Sequence, residues 1–253
     1  MKYFYFILLK ITYTVRIMTK KCSYEKYLKR FLDIVLSLLI LFLFWWLYLI
    51  IALLVYIQLG NPVVFKQLRP GKNCKIFNIY KFRTMTNEKD DDGKILSDKN
   101  RMTPFGQWLR ESSLDEIPEV FCVLKGDMSF VGPRPQLVKD MVFMNEEQNK
   151  RHLVLPGLTG LAQVNGRNNI TWDEKLKYDL EYINNISFIN DVKIFFKTFK
   201  VALIKKEGIT EKGKATSSDF GDYLLNSGRI TYDQYHDGQT KAQQLIDQYY
   251  LNH

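Results

Sequence analysis

The sequence is poor in the residues that build disulfide frameworks, zinc sites and histidine-based catalytic centres. Its 253 residues include three cysteines, widely spaced and without a Cys-x-x-Cys pair, and three histidines, two of them in a polar C-terminal segment. An odd, scattered set of cysteines predicts neither a disulfide scaffold nor a structural zinc site. The shortage of histidine likewise argues against a Ser-His-Asp triad or a histidine-rich metal cluster.

Charge is not scarce, but it is unbalanced. The formal net charge is +9 and the pI is about 9.2, so phosphate groups, anionic lipid head groups and nucleic acid are all suitable partners by sign. No nucleic-acid-binding motif accompanies the basic residues, and we predict no nucleic-acid partner. The chain is long enough for one globular domain and a membrane anchor, which directs the search to a single active site.

One long apolar run lies in the N-terminal quarter. Every residue from 34 to 57 is apolar or aromatic except Ser37, which exceeds the roughly 20 residues that a bilayer-spanning helix needs. A buried core helix is the alternative. Basic residues flank both ends, at positions 26, 29 and 30 before the run and at 66, 69, 72 and 75 after it. The positive-inside tendency places both ends in the cytoplasm and favours a helix that enters one leaflet and returns, although the run has no Pro or Gly at which to break.

The rest of the chain predicts short strands, turns and helices. Strands are predicted at 63–65 and 76–82 around a turn at 69–72, an exposed loop at 87–100, helices at 105–110 and 114–124, a rigid loop at 126–135 and a terminal helix at 240–250. An apolar stripe of helical period at 188–203 lies either on an anionic membrane surface or against the core.

These patterns predict an α+β fold that is mainly helical. An N-terminal membrane-inserted, re-entrant helix precedes a compact cytoplasmic domain with short β-strands and amphipathic surface helices. The predicted divisions are a basic and apolar lead-in at 1–27, the membrane-inserted helix at 28–59, the cytoplasmic domain at 60–210, and a polar tail with a terminal helix at 211–253.

An adjacent pair of carboxylates, Asp115 and Glu116, stands where a predicted helix begins. Such a pair can supply a nucleophile, a general base or ligands for a metal ion. A carboxylate that attacks phosphorus gives an acyl-phosphate intermediate, and a helix N-terminus favours the negative charge of a phosphate. The alternative is structural, because Ser113 followed by Glu116 is also the pattern of a capping box.

Three cations have positions that suit a phosphate ligand. Arg134 lies between Pro133 and Pro135, which fix the backbone on either side of one guanidinium. A rigid guanidinium suits bidentate recognition of phosphate, although a surface turn explains the pattern equally well. Lys81 and Arg83 alternate with aromatic residues as in a strand, so both are expected to point the same way. They either grip a diphosphate or face water.

Two further segments carry polar groups. The stretch from 156 to 168 offers glycines, amides, Gln163 and Arg167 on a flexible backbone, which suits a nucleotide base and ribose or forms a plain loop. Residues 90–92 are three consecutive aspartates that resemble the Asp-x-Asp metal site of many nucleotide-sugar glycosyltransferases. Because they lie in a charged loop with no strand before them, we interpret them as a solvated run.

Taken in order, these motifs resemble those of the bacterial sugar transferases that are monotopic polyprenyl-phosphate phosphoglycosyl transferases. The resemblance begins at 29–33 (KRFLD), continues through 81–85 (KFRTM), 113–116 (SLDE) and the 126–135 loop, and includes 163–168 (QVNGRN). Several long motifs in the right order are more specific than any one of them. The chain is most similar to the small single-domain members that begin glycan assembly, including the member that acts in bacterial N-linked protein glycosylation.

The resemblance implies a two-step reaction. Asp115 takes the sugar 1-phosphate from a UDP-sugar and releases UMP, and polyprenyl (undecaprenyl) phosphate then attacks to give a polyprenyl-diphosphate sugar. Glu116 assists, and Asp115 and Glu116 hold a magnesium ion, Mg2+, that counters the charge of the diphosphate. Lys81, Arg134 and Asp191 fall on family positions linked to substrate binding or activity, and the full predicted substrate-binding set is Lys81, Arg83, Arg110, Arg134, Gln163, Arg167 and Asp191.

The anchor departs from the family in one feature. Members of this kind usually carry a Ser-Pro pair at the helix break, where this chain has Phe44-Trp45-Trp46, so the proline that kinks the helix is absent. The resemblance also implies the bacterial inner membrane, with the catalytic domain on the cytoplasmic face. Expected partners are membrane lipid and either a second copy of the chain in a homo-oligomer or glycosyltransferases of the pathway.

Two alternative functions stay open at this point. One is a glycosyltransferase that moves only the sugar and releases UDP. The other is a non-catalytic membrane scaffold for polysaccharide assembly, in which the carboxylate pair is only a helix cap.

Overall fold

The N-terminal apolar run forms one long helix. A computed structural model describes residues 24–166, 170–204 and 218–252 of the chain. A short π-helix, Tyr24–Leu28, leads into α1 (Lys29–Leu59), a continuous α-helix of 31 residues. By length and composition it can cross a membrane. Most of its large side chains are exposed, Phe42 at 77%, so the alternative of a buried core helix is wrong.

Both ends of α1 contact the same domain. Near its start, the Arg30 guanidinium donates to the backbone carbonyls of Val123 and Leu124. At its end, the Arg83 guanidinium donates to the carbonyls of the last helical residue and of the two residues that follow. This arrangement agrees with basic flanks on one side of a membrane. The helix is unbroken, as the missing proline predicts, and re-entry into one leaflet stays a prediction.

Two small sheets support the domain. The strands β1 (Val64–Pro70) and β2 (Ile76–Phe82) form an antiparallel hairpin, which confirms both predicted strands and extends the first. A parallel pair, β3 (Ser129–Val131) and β4 (Gly157–Thr159), joins the two glycine-containing segments. The prediction of loop structure is wrong at these residues.

Close backbone contacts explain why the glycine-containing segments are rigid. A Cβ on Gly157 would come within 2.1 Å of the Gly132 nitrogen, and a Cβ on Gly160 within 2.1 Å of the Gly132 carbonyl oxygen. Residues with side chains cannot approach this closely, which is the reason for glycine here. The Gly157 nitrogen also donates to the Pro133 carbonyl over 2.9 Å. The stretch predicted to be flexible therefore fixes the loop that carries Arg134.

The helices account for most of the remaining structure. The predicted helix at 114–124 is divided, because the carboxylate pair lies in a 3-10 turn, Leu114–Glu116, and the α-helix begins after Pro118. The predicted terminal helix is confirmed but begins earlier than residue 240. After α1, the helices are α2 (Asp98–Arg101), α3 (Pro104–Glu111), α4 (Glu119–Lys125), α5 (Val138–Met141), α6 (Glu146–Asn149), α7 (Leu161–Val164), α8 (Trp172–Asn184), α9 (Phe188–Ile204), α10 (Phe220–Asn226) and α11 (Tyr232–Leu251), with 3-10 turns at Lys72–Cys74 and Lys150–Leu153.

The main hydrophobic core lies between β2, α4, β3 and α9. Its buried members include Ile79, Val123 and Phe130, and Ile40 of α1 packs against them. α9 has one buried side, with Ile194 at 5% exposure, and one exposed side, with Phe196 at 67%. The helix predicted at 188–203 thus contacts the core and also presents an apolar surface. A mainly helical α+β domain behind an apolar anchor helix confirms the predicted fold class.

Candidate active site

The carboxylate pair does not cap a helix. Ser113 adopts a left-handed backbone conformation, with φ of 57°, and its side chain accepts no capping hydrogen bond. The Glu116 side chain turns away from Ser113 and accepts hydrogen bonds from Lys81 and Arg134 instead. Both reciprocal bonds of a capping box are therefore missing. The structural alternative for Asp115 and Glu116 is wrong.

Glu116 is the centre of a four-residue ionic network. Its Oε1 lies 2.7 Å from the Lys81 Nζ and 2.7 Å from an Arg134 Nη. The Lys81 Nζ is also 3.0 Å from Glu119 Oε1, and the Glu119 side chain is 2% exposed. Lys81 comes from β2, Glu116 from the 3-10 turn, Glu119 from α4 and Arg134 from the loop after β3. The network therefore depends on the packing of four separate segments.

Burial and neighbouring charges shift the pKa values of the two glutamates in opposite directions and raise that of Lys81. Burial opposes ionisation of Glu116, but Arg134 and Lys81 outweigh it and hold its pKa well below the ordinary value. Burial, with a contribution from the charge of Glu116, raises the pKa of Glu119 to about 7. Burial also opposes the charge of Lys81, and the two glutamates more than offset this and raise its pKa. At neutral pH Glu116 and Lys81 are fully charged.

Asp115 differs from its neighbour. Its residue is 7% exposed, and in the part of the chain that the structure describes its carboxylate accepts no hydrogen bond. Burial raises its pKa to about 6, opposed by Lys81 and assisted by the charge of Glu116. A buried carboxylate that is ionised at pH 7 and weakly solvated is a good nucleophile or general base.

A cavity of about 1200 Å³ opens in front of the network. Its polar wall includes Asp115, Glu116, Lys81 and Arg134. Its apolar wall includes side chains of α1 and α9: Ile40, Phe44, Leu47, Phe195 and Phe199. One cavity thus joins the charged network to the membrane anchor, which suits a ligand with an anionic head and an apolar tail.

Two more predicted residues line this cavity. The Arg110 Nε donates to Thr84 Oγ1 over 2.9 Å, and burial lowers the pKa of this arginine. The Gln163 Nε2 donates to the Leu158 carbonyl over 2.9 Å. Its Oε1 is buried without a hydrogen-bond partner among the described residues. Lys81, Arg110, Arg134 and Gln163 therefore line the same cavity as Asp115, and the charges of the three cations act on its carboxylate.

Three predicted residues are not placed with this group. Arg83 borders the cavity, but its guanidinium holds the C-terminal carbonyls of α1, so it does not act with Lys81 as expected. Asp191 is 6% exposed and accepts hydrogen bonds from Tyr24, Lys29 and Tyr182. The structure places Asp191 against the base of α1, outside the cavity. Arg167 lies outside the described residues.

Comparison with known proteins gives the family of this chain. Residues 24–205 match the bacterial sugar transferase family. The chain belongs to this family. It is 46% identical to the uncharacterized sugar transferase EpsL of Bacillus subtilis over 66% of this chain and 82% of that protein. It is 38% identical to the exopolysaccharide production protein PSS of Rhizobium leguminosarum over 72% of this chain and 98% of that protein.

A third relative carries a name that states a reaction. The UDP-glucose:undecaprenyl-phosphate glucose-1-phosphate transferase of Klebsiella pneumoniae is 42% identical over 70% of this chain, but the match covers only 40% of that protein. The match thus spans less than half the length of this relative. The reaction of the present chain must therefore be argued from its own site.

Three residues of the sugar transferase site were missed from the sequence. Glu119 follows Glu116 by three residues across Pro118, a spacing that could have marked it as a further carboxylate of the same cluster. The Arg151 Nη2 donates to the Arg134 carbonyl over 2.6 Å, and an Nη of Arg69 donates to the Pro135 carbonyl over 3.1 Å. These two arginines hold the loop backbone, and only the tertiary structure shows this.

The predicted magnesium ion has a compatible but incomplete set of ligands. Asp115 faces the cavity with no hydrogen bond from the described residues, whereas Glu116 already binds two cations through Oε1. The described residues contain no group of three or more His, Cys, Asp or Glu side chains that could hold a metal. Mg2+ commonly uses one or two carboxylates and takes its other ligands from phosphate and water. The site fits an ion that arrives with a diphosphate, while the exposed aspartates at 90–92 do not form such a site.

Proposed function

We propose that this sugar transferase is a polyprenyl-phosphate phosphoglycosyl transferase. It moves a sugar 1-phosphate from a UDP-sugar to polyprenyl phosphate and releases UMP. The observation that carries the proposal is Asp115, a buried carboxylate without a hydrogen bond from the described residues, next to the cations Lys81 and Arg134. The name of the Klebsiella relative states the same class of donor, acceptor and transferred group.

In the first step, an Asp115 carboxylate oxygen attacks the sugar-bearing phosphorus of the UDP-sugar. The bond from that phosphorus to the bridging oxygen breaks, UMP leaves with the electron pair, and the sugar phosphate becomes an acyl phosphate on Asp115. Lys81 and Arg134 stabilise the negative charge that builds up on the phosphoryl oxygens. Glu116 stays ionised and positions these two cations through its Oε1.

In the second step, a phosphate oxygen of polyprenyl phosphate attacks the same phosphorus. The acyl-phosphate bond breaks, Asp115 regains its carboxylate, and the product is a polyprenyl-diphosphate sugar. The apolar wall from α1 and α9 suits the isoprenoid chain of the acceptor. Asp115 and Glu116 would hold magnesium, which supplies positive charge to the diphosphate when bound.

The proposed setting is the bacterial inner membrane, with the catalytic domain on the cytoplasmic face. The exposed apolar surface of α1 and its basic flanks support this location. The proposed partners are membrane lipid, other copies of the chain and pathway glycosyltransferases, all of which stay predictions.

Nucleotide release by the purified full chain tests the reaction. The protein in detergent is given a panel of UDP-sugars, magnesium and undecaprenyl phosphate, and UMP and UDP are separated by chromatography. We expect UMP release that is lost in Asp115→Asn and kept in Asp92→Asn, a matched change in the exposed aspartate run. Release of UDP would instead identify a glycosyltransferase. UMP release that survives in Asp115→Asn would rule out the proposed nucleophile.

A further inference from the structure

The C-terminal segment that follows the family match is part of the domain. The match ends at residue 205, and the described C-terminal segment is 218–252. Phe220 is 1% exposed, and its ring centroid lies 5.1 Å from that of Trp172 in α8. The Phe220 nitrogen donates to Asp140 over 2.8 Å, and the Trp172 Nε1 donates to the Ser218 carbonyl over 3.0 Å. These contacts fix the start of α10 against the domain.

A second contact fixes α10 and α11 together. The ring of Phe143 lies between two glycines, one in each helix. A Cβ would come within 2.6 Å of this ring if added to Gly221 and within 2.3 Å if added to Gly238. The backbone of both helices therefore rests directly on the ring, and Tyr235 stacks on the same ring with centroids 5.9 Å apart. The segment that contains α10 and α11 is therefore packed firmly against the rest of the domain.

This segment brings two carboxylates to the cavity that contains Asp115. Asp219 and Asp222 both line that cavity. Asp219 Oδ2 pairs with the Lys139 ammonium, and Asp222 Oδ1 accepts a hydrogen bond from the Tyr235 hydroxyl over 2.7 Å. Asp219 stands at the N-cap position of α10, yet its side chain does not cap the helix. Each carboxylate is thus held by one oxygen, and the other accepts no hydrogen bond from the described residues.

The rest of the cavity already has suitable parts for two portions of the substrates. Lys81 and Arg134 suit the diphosphate, and the apolar side chains of α1 and α9 suit the isoprenoid chain. Carboxylates repel phosphate but accept hydrogen bonds from hydroxyl groups. A hexose ring carries several hydroxyl donors, which makes it the portion of the substrates that fits the wall formed by Asp219 and Asp222.

We propose that Asp219 and Asp222 bind the sugar ring of the nucleotide-sugar donor and determine which sugar is accepted. This inference rests on the proposed function, because it takes the donor to be a UDP-sugar. Since the wall is contributed by residues beyond the family match, sugar selectivity is set outside the segment that carries the reactive carboxylates.

Direct binding tests the wall without catalysis. Isothermal titration calorimetry compares UMP with UDP-glucose, UDP-galactose and their N-acetylamino counterparts on the full chain carrying Asp115→Asn, which cannot form the covalent intermediate, and on the same chain with Asp219→Asn or Asp222→Asn added. We expect the preferred UDP-sugar to bind about tenfold more weakly to each variant, which is about 1.4 kcal/mol, while UMP binding changes less than twofold. Asp237→Asn in α11 is the control, because Asp237 is exposed and does not line the cavity.

The outcomes separate this inference from the proposed function. Equal weakening of UMP and UDP-sugar would place the wall at the nucleotide, and unchanged binding of both would remove it from the donor site; either result overturns the inference. The same holds if the chain with an intact wall binds no UDP-sugar more tightly than UMP. Sugar-dependent binding, together with no UMP release by the native chain when donor and polyprenyl phosphate are both present, would contradict the proposed reaction and leave the wall supported.

Discussion

Two ionic clusters of the domain contain similar types of residue but differ in how their carboxylate oxygens are bonded. In one, Lys81 pairs with Glu116 beside Asp115; in the other, Lys29 pairs with Asp191 beside Tyr182. Both join segments that are distant in sequence, and the sequence marked both aspartates as functional. The first cluster lines a large cavity and leaves Asp115 without a hydrogen bond from the described residues, whereas in the second each Asp191 oxygen is occupied.

The difference lies in access and in free bonding capacity. A carboxylate whose oxygens are all engaged by protein donors is stabilised in place and cannot attack a substrate without losing those bonds. A carboxylate that burial makes less stable as an anion gains from bonding to phosphorus. The two clusters share charge and burial, so the occupancy of the carboxylate oxygens is the difference on which the proposed assignment of Asp115 as the nucleophile rests.

The largest expected difference between the clusters is in catalysis. Asp115→Asn should reduce UMP release at least about 1,000-fold, because the amide cannot form the covalent intermediate. Asp191→Asn should keep activity within about fivefold at a temperature where the protein stays folded. Initial rates on detergent-solubilised protein measure both, and a loss of similar size in the two variants would break the distinction.

The two substitutions should affect stability in the opposite order to activity, with the larger loss in Asp191→Asn. Asp191→Asn removes one charge of a buried pair, a change that costs about 3–5 kcal/mol, and should lower the Tm by roughly 10 °C. The pKa of Asp115 is raised to about 6 in the folded protein from 3.8, so folding opposes its ionisation and its charge reduces stability above that range. Asp115→Asn should leave the Tm at pH 7 unchanged or higher, as thermal unfolding in detergent would show.

The pH dependence of activity sharpens the assignment of the nucleophile. With a pKa of about 6, Asp115 loses its reactive charge as the pH falls, and activity should drop about tenfold between pH 7 and pH 5. The pKa of Glu119 is raised to about 7, so it also titrates nearby, while Glu116 stays ionised. Glu119→Gln serves as the control: the acid limb should stay near pH 6, and its disappearance would assign it to Glu119.

The smallest expected effect concerns the geometry of Arg134. Arg134→Lys keeps the charge but loses the planar set of donors, and should raise the KM for the UDP-sugar about fivefold to tenfold with a smaller change in kcat. Arg229→Lys is matched to it, because Arg229 forms an exposed pair with Asp173 over 2.7 Å. This control should change KM less than twofold, and an equal effect of both substitutions would argue against phosphate recognition by Arg134.

Local patterns predicted the parts whose signals lie within one segment. The anchor helix follows from an uninterrupted apolar run, and β1 and β2 follow from alternation around a Pro-Gly turn. Local patterns failed where a distant segment decides the conformation. Gly157 and Gly160 looked flexible because glycine is permissive, yet their lack of a side chain is what allows tight packing against Gly132.

Prediction of the site residues was likewise limited by what can be recognised within one segment. Motif order identified Asp115, Glu116, Lys81 and Arg134, and the structure brings all four to one cavity. It could not separate Arg83 and Asp191 from them, because a charged side chain in a motif has the same signature whether it meets a substrate or a helix end. Arg167 lies outside the described residues and stays a prediction.

The sequence by itself predicted the apolar anchor helix, the fold class and the position of an adjacent carboxylate pair, since these depend on residue type and short-range spacing. The proposed reactivity of that pair came from the resemblance of several motifs in order, and it stays a prediction. Only the tertiary structure decided which oxygens are occupied, which cations share Glu116, and that the start of α10 reaches the cavity. The physical reason is that hydrogen bonding and burial are set by neighbours in space. Those neighbours come from segments that can be more than a hundred residues apart, as Lys29 and Asp191 are.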